Sequence, residues 1–272
     1  MKKQLLLVAL LFVGSLSFAQ KQNEEFDQQI NDLIQAENYE EAIDSLLKWD
    51  ADNRLSEFLL TELFRCYFLN EQYQECIQSC YRWLGEYEIV GGEGNKYSAN
   101  VYLGRSYYLN GDCEPALFWL KKSLNVMEAA DFTEGSWNNI YTDSYSKINK
   151  DLGLTCYMIG ICYGKLGMSN EDEDVKLAII KQALQYFKRA IKFQCLFLNT
   201  SIKDVQNSKI SDDALGAYLK DYGIIYVLQG NPDGFEIIKL AALCGNQDAI
   251  SICNESNINY RVKSNISNNL FE

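Results

Sequence analysis

Residues 38–49 read NYEEAIDSLLKW and residues 72–83 read QYQECIQSCYRW. Tyr39, Glu41, Ile43, Ser45 and Trp49 recur as the same residue types 34 positions later, at Tyr73, Glu75, Ile77, Ser79 and Trp83. Self-similarity at a fixed period of this size marks one supersecondary unit used several times. A single helix pair cannot bury its apolar face alone, whereas stacked pairs share a continuous core. The recurring Tyr, Ile and Trp are therefore expected to form the layers between successive pairs, a structural task.

Working outward, residues 99–124 read ANVYLGRSYYLNGDCEPALFWLKKSL. Leu103, Gly104 and Tyr107 make the pattern L-G-x-x-Y; Gly104 and Ala116 would let two helices approach closely, Tyr107 and Leu120 would fill the space between them, and Asn110-Gly111-Asp112 would make the turn. Other stretches align with this one. The first carries Phe26, Leu33, Tyr39, Ala42 and Leu46, and the second Leu63, Tyr67, Tyr73, Cys76 and Cys80. The fourth carries Ile159, Gly160, Tyr163, Ala183, Phe187 and Ala190, with MSNEDEDVKLA read as an extra stretch between its helices. The fifth carries Gly223, Tyr226, Gly234, Ile238 and Ala241.

The 34-residue period with the pattern L-G-x-x-Y resembles the tetratricopeptide repeat (TPR) family across residues 24–255. The end of the chain, LAALCGNQDAISIC, resembles the Sel1-like variant through Ala241-Ala242, Gly245 and Ala249. The resemblance implies an all-α fold, a tetratricopeptide-like α-α superhelical solenoid of about five helix pairs. Three residues depart from the family pattern. Trp49 and Trp83 stand where it usually has a small Ala, and Phe64 where it usually has Gly. An unrelated helical bundle is the competing reading.

The chain opens MKKQLLLVALLFVGSLSFAQ, with Lys2-Lys3, a short apolar run and the small residues Ser17 and Ala19. That order is a secretory signal peptide with cleavage after Ala19, so an exported protein, periplasmic or secreted, is expected. No Cys follows the run, against a lipid anchor of the bacterial lipoprotein type. The domain organisation reads as a signal peptide at 1–19, a TPR/Sel1-like helical repeat domain at 20–258 and a polar C-terminal tail at 259–272. No integral membrane segment is expected after cleavage. Losing Lys2 and Lys3 takes the formal charge from −12 to −14, against nucleic-acid phosphates as a partner. The 47% hydrophobic content suffices for a packed core, and only Pro115 and Pro232 interrupt helix formation.

The chain has no His, which removes His-based catalysis and His-ligated metals. No G-x-S-x-G, H-E-x-x-H or phosphate-loop motif occurs, and no enzyme, cofactor or metal is expected. Asn170-Glu171-Asp172-Glu173-Asp174 lacks the ligand alternation of a calcium loop and reads as a solvated acidic loop. The nine cysteines leave three readings open: buried thiols acting as small hydrophobes, one or more disulfides, or a structural metal. Most coincide with small or apolar repeat positions, which favours the first.

In TPR proteins the first helix of each unit lines an inner groove. Carried onto this sequence, the resemblance implies a groove bearing Arg65, Phe68, Arg105, Tyr108, Tyr157, Lys165 and Lys220. Arginines hold carboxylates bidentately and aromatic rings add flat apolar contact, so a protein or peptide partner with an acidic segment is the expected ligand. Thr61 and Arg65 stand at two places of the family's chaperone-tail clamp, so that mechanism is not reproduced. Long side chains merely coating the groove is the plainer alternative. The functional rival is a glycan-binding envelope protein, which an exposed flat platform of Tyr108 and Tyr157 would favour. A hydrolytic enzyme is a distant third.

Overall fold

The computed structural model describes residues 23–129, 144–207, 210–260 and 271. The segment read as a signal peptide and most of the C-terminal tail lie outside the described residues.

Helices follow one another without a strand among the described residues. They are α1 (23–35), α2 (Tyr39–Asp52), α3 (Glu57–Leu69), α4 (Tyr73–Tyr87), α5 (Glu93–Leu109), α6 (Cys113–Ala129), α7 (Ser144–Met168), α8 (Glu173–Phe197), α9 (Ile202–Asn207), α10 (Asp213–Leu228), α11 (Asp233–Leu243) and α12 (Gln247–Glu255). Consecutive helices pack as pairs, so the all-α repeat architecture is present. Both prolines sit where a missing N–H is harmless, Pro115 in the first turn of α6 and Pro232 at the N-cap of α11. The chain divides into two compact units, Met1–Tyr102 and Leu103–Glu272.

In the first unit the 34-residue period is a burial register. Ala42, Ile43 and Leu46 of α2 are buried, as are Cys76, Ile77 and Cys80 of α4, while Glu41 and Glu75 are exposed. Aromatic contacts absorb the three bulky departures from the family pattern. Trp49 stacks on Phe26 with ring centroids 4.1 Å apart. Phe64 leans on Tyr102 at 5.4 Å. Trp83 is fully buried, and a Cβ at Gly91 would come within 2.9 Å of its ring, so the missing side chain there makes its room.

One turn recurs in both units. The N–H of Asn38 donates to Leu33 O at 2.9 Å, that of Gln72 to Tyr67 O at 2.8 Å, that of Asp112 to Tyr107 O at 2.9 Å and that of Asn231 to Tyr226 O at 3.0 Å. The residue before each donor is left-handed: Glu37 (φ 59), Glu71 (φ 58), Gly111 (φ 88) and Gly230 (φ 74). This is the Schellman stop, which satisfies orphan carbonyls and reverses the chain in two or three residues. Glu37 and Glu71 carry a Cβ in that conformation, at a cost of about 1–2 kcal/mol each relative to right-handed backbone.

In the second unit small residues set the helix crossings. A Cβ on Gly104 would lie 2.6 Å from Leu120, and one on Gly160 would lie 3.1 Å from Phe187. Gly223 and Gly234 face each other, a Cβ on the latter falling 2.5 Å from Gly223 O. The acidic run differs from its reading as a loop. Asp172 is the N-cap of α8 and accepts from the N–H groups of Asp174 and Val175 at 3.0 and 3.1 Å, so Glu173 and Asp174 already belong to the helix. Carboxylates in a first turn suit the helix dipole, and the supposed extra stretch is mostly helical extension. Near the C-terminus, Phe271 folds back to 5.9 Å from Tyr222 of α10, a side chain with 0% exposure.

Candidate functional site

The candidate residues of the first unit lie on α3. Arg65 is exposed, and its Nη1 donates to Glu62 Oε2 at 3.3 Å, one turn earlier on the same helix. Glu62 is buried. Burial raises its pKa above the ordinary glutamate value, and the Arg65 guanidinium opposes the rise. Phe68 is half-buried, edge-on to Tyr102 at 5.0 Å and tilted on Tyr73 at 5.7 Å. It is a member of an aromatic cluster, so much of its face is already covered.

The second unit brings five candidates onto the first helices of its pairs. Arg105 of α5 donates from Nη2 to Asp151 Oδ1 of α7 at 3.3 Å. Its side chain is 13% exposed, and its Nε finds no acceptor among the described residues. Tyr157 of α7 donates its hydroxyl to Asp221 Oδ2 of α10 at 2.6 Å and stacks on Tyr218 at 4.5 Å. Burial first, and the Asp221 carboxylate second, push the Tyr157 phenol well up. Lys220 of α10 lies 3.4 Å from Asp221 and 3.1 Å from Asp248. Asp221 thus ties Tyr157 and Lys220 together.

Lys165 differs from these. It is exposed in the last turn of α7, where the helix dipole favours a cation, and its Nζ lies 5.7 Å from the centre of the Tyr108 ring. It makes no ion pair with a carboxylate among the described residues. Such a cation–ring contact is worth about 0.5–1 kcal/mol at an exposed site and leaves the ammonium protons available.

Sequence reading missed two features. The carboxylates of Asp151 and Asp248 reach Arg105 and Lys220 from α7 and α12, and only the packing of the helices reveals them, whereas Asp221 stands next to Lys220 in the chain. The second is an apolar recess lined by Met168, Leu177, Ile180, Ile225 and Leu228, with Lys176 at its side. Met168, Leu177 and Leu228 are exposed there. The signal was present as apolar residues flanking the acidic run, but it was masked by reading that run as a connection.

All nine cysteines are buried thiols. Burial pushes Cys66, Cys195 and Cys244 up to about 12, so they are protonated, unreactive core residues at neutral pH.

Repeated helix pairs joined by one recurrent turn, with small residues at the crossings, define a protein of TPR-like fold. One solved structure agrees at that level. A kinesin light chain candidate of Podosopora anserina with nearly identical TPR-like repeats is 12% identical, covers 82% of this chain and 94% of its own, and superposes with a TM-score of 0.50. A point variant of that same protein is 14% identical over 86% of this chain and 95% of its own, with a TM-score of 0.49. The C-terminal part of a TPR repeat-containing protein from Cytophaga hutchinsonii is 16% identical over 82% of this chain and 98% of its own, with a TM-score of 0.23. No family model and no curated protein matches the sequence.

Proposed function

We propose that this protein is an exported, noncatalytic interaction scaffold that holds a protein or peptide segment on the first helices of its repeat pairs. The last pair, α11 with α12, is read as its Sel1-like unit. Arg105, Tyr108, Tyr157, Lys165 and Lys220 are the candidate surface of the second unit, with Lys165 on Tyr108 as the anchor, and Arg65 and Phe68 are the candidates of the first unit. One observation carries this choice: Lys165 is an exposed cation with no carboxylate partner among the described residues, whereas its neighbours Arg105 and Lys220 each have one. An acidic ligand reaching Arg105 must displace Asp151, exchanging one ion pair for another with little gain. At Lys165 it adds a charge-assisted bond worth about 1.5–3 kcal/mol. Tyr157 spends one ring face on Tyr218, which removes half of the platform a glycan would use.

The test is capture from the envelope fraction with the mature protein, followed by titration of the captured partner. Lys165→Ala and Tyr108→Ala are expected to weaken binding roughly tenfold or more, and Arg105→Ala less. Affinity unchanged in both of the first two, with the helical signal intact, places the working surface elsewhere. Export is checked on the same preparation, whose N-terminus should be Gln20. An intact Met1 on a cytoplasmic protein refutes that part.

A further inference from the structure

We propose that Cys113 and Cys162 form a disulfide under oxidising conditions, pinning the start of α6 to α7. The two thiols are within hydrogen-bonding contact of each other. They come from neighbouring, directly packed helices, and both are buried, at 9% and 0% exposure. A disulfide needs Cβ atoms about 3.5–4.5 Å apart, a spacing that two side chains meeting from opposite helices can reach by side-chain rotation and a small backbone shift. Cys76 and Cys80 also touch, but they lie one turn apart on α4. Neighbours at that helical spacing hold their Cβ atoms about 5–6 Å apart, which is too far without unwinding the helix.

The chemistry requires an electron acceptor, and a small disulfide of the glutathione class supplies it. Cys162 loses its proton and its thiolate attacks one sulfur of RS–SR, expelling RS⁻, which takes up a proton. Cys113 then loses its proton and attacks the Cys162 sulfur of the mixed disulfide, expelling the second RS⁻, which is protonated in turn. Two protein thiols are oxidised by two electrons, and one RS–SR becomes two RSH. Burial, with Cys113 alongside, raises the Cys162 pKa, while Lys165 opposes the rise. Thiolate is therefore scarce in the closed fold, and exchange proceeds when this corner opens or before it packs.

The test uses the full chain, reduced and unfolded, then refolded in a mixture of oxidised and reduced glutathione. Remaining thiols are alkylated before any reduction, and peptides are mapped by mass. Seven labelled cysteines are expected, with the Cys113 and Cys162 peptides joined and two hydrogens lighter. The thermal midpoint should rise by about 5 °C or more and fall back on reduction. Cys113→Ala and Cys162→Ala should each abolish the joined peptide while keeping the helical signal. The purified folded protein, incubated with oxidised glutathione in mild denaturant and mapped in the same way, should give the same pair even where refolding yields are poor. Nine labelled thiols in both arms, or a different pair as the main crosslink, overturns the proposal.

Discussion

Asp50 and Arg82 sit near the ends of two successive second helices, and the repeat brings them together. Arg82 Nη2 donates to Asp50 Oδ1 at 2.9 Å, Nη1 donates to Oδ2, and Nε donates to Glu86 Oε1 at 2.9 Å. The side chains are 34% and 21% exposed, so this is a semi-buried fork. The hydrogen bonds from Arg82 hold the Asp50 carboxyl below its ordinary value of 3.8. A depressed carboxyl contributes stability that is fully present above the unfolded pKa and is lost as pH falls through the lower, folded one. Asp50→Asn is therefore expected to destabilise by about 1 kcal/mol at pH 7. That difference should shrink as pH drops below 3.8, where the wild-type carboxyl also becomes neutral. Denaturant titrations of both proteins at pH 7 and at acid pH check this; a difference independent of pH would mean that Asp50 acts through packing. Both residues are visible in the sequence, but nothing there says that these two charges, of many, face each other.

Among helices the decisive contacts are those that only glycine permits. Gly104 against Leu120, Gly160 against Phe187 and Gly223 against Gly234 were readable as small positions of a helix pair, and the structure places each at a crossing. Gly234→Ala sets two effects against each other. Alanine gains about 1 kcal/mol in helix propensity, while forcing a methyl group into a packed crossing costs about 1–3 kcal/mol. A Cβ 2.5 Å from Gly223 O and 2.7 Å from Val227 N meets backbone, which cannot rotate away, so destabilisation should win. Gly85 of α4 is the control, with nothing within 4 Å of its would-be Cβ. Gly85→Ala should stabilise by about 0.5–1 kcal/mol. Denaturant midpoints decide, and equal shifts of the same sign in both variants would remove crossing contact as the cause. The length of α8 was less legible, because an acidic run reads equally as a solvated loop or as a helix N-terminus until its cap is seen.

At the scale of the molecule, a stack of helix pairs always ends on an uncovered apolar layer, and repeat proteins need something to close it. Here α12 packs on α11, and Phe271 packs on Tyr222. Phe271→Ala is expected to lower stability by about 1–2 kcal/mol through lost apolar burial, with Phe271→Leu retaining most of it. A thermal melt followed by circular dichroism checks this. An unchanged midpoint for Phe271→Ala would mean that the ring lies against Tyr222 without closing the layer. The last fourteen residues read as a polar tail, since two aromatics, Tyr260 and Phe271, among asparagines and serines carry no periodic signal.

The sequence by itself determined the architecture: the repeat period, the helix pairs, the glycine crossings and the placement of cysteines at buried positions. All of these follow from local periodicity, because each unit must present the same apolar face to its neighbours. Tertiary structure decided which charges remain available. Arg105 and Lys220 read as binding residues by register, and Asp151 and Asp248 reach them from other helices, while Lys165 stands over Tyr108 without a carboxylate partner among the described residues. Ion pairing between helices depends on rotation and stagger at the packed interface, and residues 46 or 28 positions apart carry no trace of that in their spacing.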